Sequence, residues 1–318
     1  MTDEIKKQKI IVVAGPTASG KTSLGISLAN ALNGEIISAD SMQVYKGMTV
    51  ATAAPTPEEK AKAVHHLTEI LEPDEQFSVA QWCQMARGKI KQIADSGKLP
   101  IIVGGTGLFI DSLVDNVVFE NVSIDNELRG RLMSKSEEEL YSMLKEVDQV
   151  AACDIHMNNK KRVVRALELY YGGTSKTQQN INSKKIASPY ETLYFFINFA
   201  DRQRLYDRIN KRVDIMLENG LLEEAKKAHC NAGKTAAQAI GHKELIPYLE
   251  GRESLEGCVE NLKQQSRRYA KRQITWFKRR ENAVLLQPDA LGEEETVKYA
   301  LSVCEDFING KFQKGKSE

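Results

Sequence analysis

Lys9-Ile10-Ile11-Val12-Val13-Ala14 runs directly into Gly15-Pro16-Thr17-Ala18-Ser19-Gly20-Lys21-Thr22, and this stretch decides the fold. Its first half is short, apolar and β-branched, the length of a buried strand rather than a helix. Its second half satisfies G-x-x-x-x-G-K-[ST] at every fixed position, and Lys21 to Leu32 continues with helical periodicity, Leu24, Leu28 and Leu32 sharing one face. In a strand, glycine-rich loop and helix so arranged, successive backbone N–H groups turn inward around an anion and the helix adds its positive end. Gly15, Pro16, Thr17, Ala18, Ser19, Gly20, Lys21 and Thr22 are read as the residues that grip a phosphorylated ligand. Lys21 reaches the outer phosphate and the Thr22 hydroxyl suits Mg²⁺.

Outward from this loop, Glu35-Ile36-Ile37-Ser38 reads as a second strand ending in Asp40-Ser41. Ser78 to Ser96 reads as a helix, and Leu99-Pro100-Ile101-Ile102-Val103 as a third buried strand ending in Gly104-Gly105-Thr106. Alternating strands and helices predict an α/β fold, a P-loop NTPase-like core with a parallel sheet and right-handed crossovers. Ligands of such sheets sit at the carboxyl ends of the strands, where all three segments carry small or polar residues. The character changes near Asn121. From residue 121 to residue 188 the chain reads as charged helices, such as Ser136 to Val147, with a Ser136/Glu139 capping box, and Lys160 to Tyr171. Thr192 to Ile197 looks like a return to the sheet, and Gln203 to Lys278 is mostly long helix. The expected domains are a core of residues 1–120 and 189–318, bearing C-terminal helices that bind RNA, and an all-helical insertion of residues 121–188. The polar tail from Gly310 to Glu318 reads as disordered.

The 318 residues carry 44 lysines and arginines against 43 acids, a net charge of +1, so a nucleic-acid surface must come from local clustering. The five cysteines are scattered, odd in number and without a C-x-x-C pair, which argues against a disulfide framework or a zinc site and for a reducing, cytoplasmic setting. No secretory signal or membrane-length apolar run is visible, and a monomer with no membrane partner is expected.

ATP or GTP is the default ligand of the loop. Nucleotide hydrolases of this class usually end a later strand in an acidic metal ligand. The strand Ile101-Ile102-Val103 ends without one, which lowers the case for an ATP-driven motor and leaves a small-molecule kinase open. Asp40 is either a metal ligand or general base, or a turn aspartate of the kind common after strands. Gln43 can read a base edge, since its amide both donates and accepts. Near the end, Arg267-Arg268-Tyr269-Ala270-Lys271-Arg272-Gln273-Ile274-Thr275-Trp276-Phe277 is densely basic with interleaved aromatics, which suits an RNA backbone and unstacked bases. The alternative is a solvated face with Trp276 and Phe277 in the core. Lys160, Lys161, Arg162 and Arg165 form a second basic set. His65 and His66 suggest a metal pair, but neighbours on an extended segment face opposite ways, so they are read as structural.

Together these motifs resemble one family, the tRNA dimethylallyltransferases (isopentenyltransferases). The matching segments are GPTASGKT at Gly15 to Thr22, DSMQVY at Asp40 to Tyr45, HHL at His65 to Leu67, GGTGLF at Gly104 to Phe109 and RVVRALE at Arg162 to Glu168. RLYDRINKRVDIMLENGLLEE at Arg204 to Glu224, QAIGHKEL at Gln238 to Leu245 and RRYAKRQITWFKR at Arg267 to Arg279 follow in family order, across nearly the whole chain. The resemblance implies transfer of a dimethylallyl group from dimethylallyl diphosphate to N6 of adenosine 37, beside the anticodon, with release of diphosphate. By the same resemblance Asp40 is the general base, Arg208 of the L-x-x-R-I motif is a further arginine on the diphosphate, and Thr106 acts at the reaction centre. The anticodon stem-loop would meet Asp40, Ser41, Met42, Gln43, Thr106, Arg129, Lys161, Arg162, Arg165, Arg267, Arg268, Lys271 and Arg272. The co-substrate is the prenyl diphosphate and the cofactor Mg²⁺ at Thr22. The chain departs from the family's usual D-I-G-T-A-K-P segment, with Thr49, Ala51 and Ala54 in place of the aspartate, glycine and lysine. Asn159 and His242 replace a usual aspartate and tyrosine. A metabolite kinase and a non-catalytic RNA binder remain as rivals. The basic helix argues against the first; Asp40 with Lys21 argues against the second.

Overall fold

The structure is a computed structural model and describes residues 7–119, 125–231, 233 and 236–312. The residues at 121 and 313–318, where a domain junction and most of the expected tail fall, lie outside that description. The chain divides into two compact units, Met1–Leu113 with Pro189–Glu318, and Val114–Ser188.

The first unit is built on a parallel sheet. Its strands are β1 (Gln8–Ala14), β2 (Gly34–Ser38), β3 (His65–His66), β4 (Leu99–Gly104), β5 (Tyr190–Ile197) and β6 (Val284–Leu286), in the spatial order β3-β2-β4-β1-β5-β6. β1 is central, and Ile10 to Val13 are fully buried, because a parallel strand covered by helices has no wet face. Ile11, Val13, Ile101 and Phe195 share one cluster with the helices Lys21–Ala31 and Glu293–Ile308. The helix Val79–Asp95 buries Trp82, whose indole N–H donates to Ser38 O at 3.0 Å. The four longer strands stand where the sequence places them. The short edge strands β3 and β6 were not anticipated as sheet members: two or three residues carry no readable alternation, and only pairing to Ile36–Ile37 and to Phe195–Ile197 defines them.

Order in the sheet brings the functional loops together. β2, β4 and β1 are neighbours, so their carboxyl ends, which lead into Asp40, Gly105 and Gly15, lie side by side. Approach there is close: a Cβ at Gly104 would meet Ala39 O at 2.2 Å, so only glycine fits. The later helices of this unit are Arg202–Glu218, Leu221–Asn231 and Leu255–Phe277.

All described elements from residue 125 to residue 188 are helices, at Asn126–Met133, Glu137–Val147, Gln149–Asp154, Lys160–Tyr171 and Lys176–Lys185. The Ser136/Glu139 capping box is formed. Their core is Leu132, Leu140, Leu144, Val163, Val164 and Leu167.

Candidate active site

The phosphate loop is shaped locally. Gly20 takes φ 92°, left-handed, as it hands over to the helix, and a Cβ at Gly15 would meet Ile197 O at 2.5 Å. Lys21 Nζ donates to Pro16 O at 2.6 Å. Ser19 is buried, and its Oγ has no hydrogen-bond partner among the described residues. Thr17, Lys21 and Thr22 line a cavity of about 330 Å³ at the carboxyl end of the sheet. Asp40, Ser41, Met42, Gln43, Gly104 and Gly105 line the same cavity.

Asp40 is a turn aspartate that also lines the cavity. Its Oδ1 accepts from the Met42 N–H at 2.9 Å, making the turn after β2, and the residue also faces the cavity. Thr106 Oγ1 accepts the Ser41 N–H at 3.0 Å, so it holds the Asp40-Ser41 turn against β4. Gln43 does not present a free amide. Its Nε2 donates to Thr52 O and Ala53 O at 3.3 and 3.1 Å, and its Oε1 accepts from Ser38 Oγ at 2.8 Å.

The arginine expected on the diphosphate lies elsewhere. Arg208 is exposed and does not line the cavity. Its Nε donates to Ala18 O at 3.0 Å and its Nη1 pairs with Glu293 at 3.0 Å, so it braces the loop from outside. Arg212, one turn further along the same helix, lines the cavity with Lys21 and Asp40. The amphipathic period identifies the face of a helix but not which of its turns overlies a cavity. Burial and the Arg212 charge outweigh Asp40 and bring Lys21 down to about 7. Burial lowers Arg212 as well, against the attraction of Asp40 and Glu59.

The basic helix Leu255–Phe277 is two-sided. Arg268, Lys271 and Arg272 are exposed, while Arg267 is held by Asn210 at 2.6 Å. Its aromatics do not line its exposed face. Phe277 is buried, Trp276 packs at Gly107 and donates to Asp111 at 2.6 Å, and Tyr269 faces the cavity. Burial and then Asp40 push the Tyr269 phenol up. Gln273, buried, accepts the Thr17 N–H at 2.8 Å and donates to Gly105 O at 2.9 Å, tying this helix to the phosphate loop and to the end of β4. Sequence reasoning missed Gln273 and Tyr269 as site residues, because the surrounding charges dominate the pattern.

His65 and His66 do face opposite ways. His66 Nε2 meets Glu35 at 2.6 Å, and Lys98 reaches the same carboxylate at 2.6 Å. His65 donates to Ala63 O at 2.8 Å and lines the cavity, its buried Nε2 without a partner among the described residues. Burial draws His65 down, so the imidazole is favoured neutral.

In the second unit, Glu168 is buried, and its carboxylate takes Arg129 by a fork at 2.5 and 3.0 Å and Arg165 at 3.1 Å. Lys161 and Arg162 stand exposed on the same helix as Arg165. No group of three His, Cys, Asp or Glu suited to a metal occurs among the described residues. The Thr22 hydroxyl on the cavity wall nevertheless suits Mg²⁺, which takes few protein ligands and completes its shell with phosphate and water.

A phosphate loop sharing its cavity with a carboxylate and apolar side chains, under a basic helix and with no acid at the end of β4, defines a P-loop protein of the group-transfer class rather than a nucleotide motor. Comparison with known proteins is specific. The IPP transferase family model matches residues 43–280 and the isopentenyl transferase model residues 8–72. The chain is 45% identical over 310 residues to the tRNA dimethylallyltransferase of Acetivibrio thermocellus, covering 94% of this chain and 99% of that one. It is 48% identical over 279 residues to that of Bacillus velezensis, covering 86% and 88%. Among solved structures, the tRNA isopentenylpyrophosphate transferase of Bacillus halodurans superposes with TM-score 0.71 at 39% identity, covering 96% and 97% of the two chains. A eukaryotic dimethylallyltransferase acting on tRNA superposes with TM-score 0.84 at 30% identity, covering 97% and 81%. The chain belongs to the IPP transferase family.

Proposed function

We propose that the chain transfers a dimethylallyl group from dimethylallyl diphosphate to N6 of adenosine 37 of tRNA. The observation that carries this reading is one cavity bearing Lys21, Thr22 and Arg212 for a diphosphate, Asp40 for a proton, and the apolar side chains Val213, Met216, Ile240 and Leu262 for a prenyl chain.

The N6 lone pair is delocalised into the purine, so the amine attacks poorly until its proton has somewhere to go. Asp40 accepts that proton as the N6–C1 bond forms and the C1–O bond to diphosphate breaks, the bonding pair leaving with the diphosphate. Charge growing on the leaving oxygens is met by Lys21, Arg212 and the loop N–H groups, fixed before reaction begins. Thr17 N–H is committed to Gln273, so these donors start at Ala18. Mg²⁺, when bound through Thr22, would supply further neutralisation of the diphosphate oxygens, leaving the Asp40 carboxylate for the proton. Thr106 keeps the Asp40-Ser41 turn in place, and His65 offers a neutral acceptor on the cavity wall. The adenine must leave its stack to enter. Gln43 meets it only by exchanging its bonds to Thr52 and Ala53. The exposed Arg268, Lys271 and Arg272, and in the second unit Arg129, Lys161, Arg162 and Arg165, hold the tRNA backbone. The five unpaired cysteines suit a reducing cytoplasm.

Unmodified tRNA incubated with labelled dimethylallyl diphosphate and Mg²⁺, without ATP, tests this. Label recovered in the nucleoside beside the anticodon is expected. ATP-dependent phosphorylation of a small acceptor would replace the reading with that of a kinase.

A further inference from the structure

The helix Thr49–Thr52 is four residues long, too short to hold its own shape, yet Ala51, Thr52 and the following Ala53 form one wall of the cavity. Side chains pin both of its ends. At the start, Glu224 Oε2 accepts the Val50 N–H at 2.8 Å and Oε1 the Ala51 N–H at 2.9 Å, satisfying two of the N–H groups that a helix leaves free. At the finish, Gln43 Nε2 holds Thr52 O and Ala53 O, with Ala53 at φ 43°, a left-handed conformation that its surroundings must enforce.

Glu224 lies on the helix Leu221–Asn231 and its side chain is only 9% exposed. A carboxylate so enclosed needs donors on both oxygens. Its third donor is His242 Nε2 at 2.8 Å, itself on a side chain 5% exposed. His242 Nδ1 has no partner among the described residues, so this link is what the buried ring offers the protein. Burial pushes the Glu224 carboxyl up, but the bonds from His242, Ala51 and Val50 outweigh it and keep the group ionised. Neither Glu224 nor His242 reaches the cavity. Two of the departures noted in the sequence, Ala51 and His242, thus meet on a single oxygen, Oε1 of Glu224. Gly241 packs there as well: a Cβ on it would lie 3.1 Å from Ala51 Cβ.

We infer that Glu224 and His242 are positioning residues that clamp the Thr49–Ala53 wall and thereby set the length of prenyl chain the cavity accepts. The inference rests on reading the cavity as the prenyl diphosphate site. Glu224→Gln replaces one accepting oxygen with an NH₂ group turned toward an N–H, and the wall loosens. His242→Ala removes the third donor, while His242→Gln restores one.

The test is steady-state kinetics with dimethylallyl and geranyl diphosphates, together with thermal unfolding and calorimetric titration by inorganic diphosphate and by dimethylallyl diphosphate. Glu224→Gln is expected to raise KM for dimethylallyl diphosphate about tenfold with kcat within about threefold, and to cut the preference over geranyl diphosphate about tenfold. His242→Ala shows a smaller loss of the same kind and His242→Gln recovers most of it; this pair decides the matter if Glu224→Gln does not fold. Affinity for inorganic diphosphate stays at the wild-type value, because the phosphate loop is outside the clamp. Folded variants with unchanged KM and donor preference would overturn the inference, as would a fall in kcat at constant KM or an equal weakening of inorganic diphosphate. Absence of prenyl transfer in the wild type would instead defeat the functional reading, and the contrast between the two diphosphates in calorimetry would still judge the clamp.

Discussion

The phosphate loop and the Thr49–Pro55 segment face the same cavity, yet the loop makes its turn with its own glycines and the helix that follows, Gln273 and Arg208 bracing it from afar, whereas both ends of the short segment are pinned by side chains outside it, Glu224 with His242 and Gln43. On the proposed reading the loop grips an anion of fixed chemistry, and the bonds from Gln273 and Arg208 brace a turn that its own sequence makes. The facing wall must match a substrate's length, and here its position is delegated to side chains that a few substitutions can retune. The turn of the loop is written mainly into contiguous sequence, and the shape of the facing wall mainly into long-range contacts.

The largest expected effect lies at Asp40, beside the loop. Asp40→Asn keeps an oxygen for the Met42 N–H and loses the base, so turnover should fall by about 10³-fold with tRNA affinity within about twofold of wild type. Single-turnover transfer and filter binding check this, and persistent turnover would remove Asp40 from the chemistry. Next comes the choice between two arginines one turn apart. Arg212→Ala should lower kcat/KM for the donor by about 10²-fold, and Arg208→Ala by less than about fivefold, since only Arg212 lines the cavity. The reverse order, measured by steady-state kinetics, would place the diphosphate outside the loop.

A subtler effect follows from Lys21. Its folded value of about 7 lies below that of an unfolded lysine, 10.5. Between those values the unfolded chain binds more protons, so the Lys21 contribution to stability rises with pH across that window and is absent below it. Diphosphate prefers the charged amine, so its affinity should fall as pH rises past about 7. Lys21→Met should flatten both trends, in thermal unfolding and in calorimetry. The smallest effect is expected at the exposed basic helix. Arg268→Ala should weaken tRNA binding a few-fold and reduce the slope of log affinity against log salt by about one, leaving kcat unchanged. An unaltered slope would take this helix off the RNA.

The division between the two walls also explains what could be read from the sequence. The phosphate loop, the Asp40 turn and the glycines after β4 were legible because each is a short local pattern whose place follows from parallel-sheet topology. Capping boxes and apolar periods located the long helices for the same reason. Arg212, Tyr269, Gln273 and Glu224 were not legible in their roles. A helical period does not specify which turn overlies the cavity, and the hydrogen bond from Thr17 N–H to Gln273 or from Val50 N–H to Glu224 exists only once distant segments are folded together. Of the two readings of the basic helix's aromatics, packing fits Trp276 and Phe277, while Tyr269 turns to the cavity.

The central claim is that the loop holds the group the substrate discards. Product inhibition tests it most directly. Inorganic diphosphate should compete with dimethylallyl diphosphate, with an inhibition constant raised about 10²-fold in Arg212→Ala, while transfer proceeds at full rate without ATP. Inhibition that does not compete with the prenyl donor, or transfer that requires ATP, would contradict it.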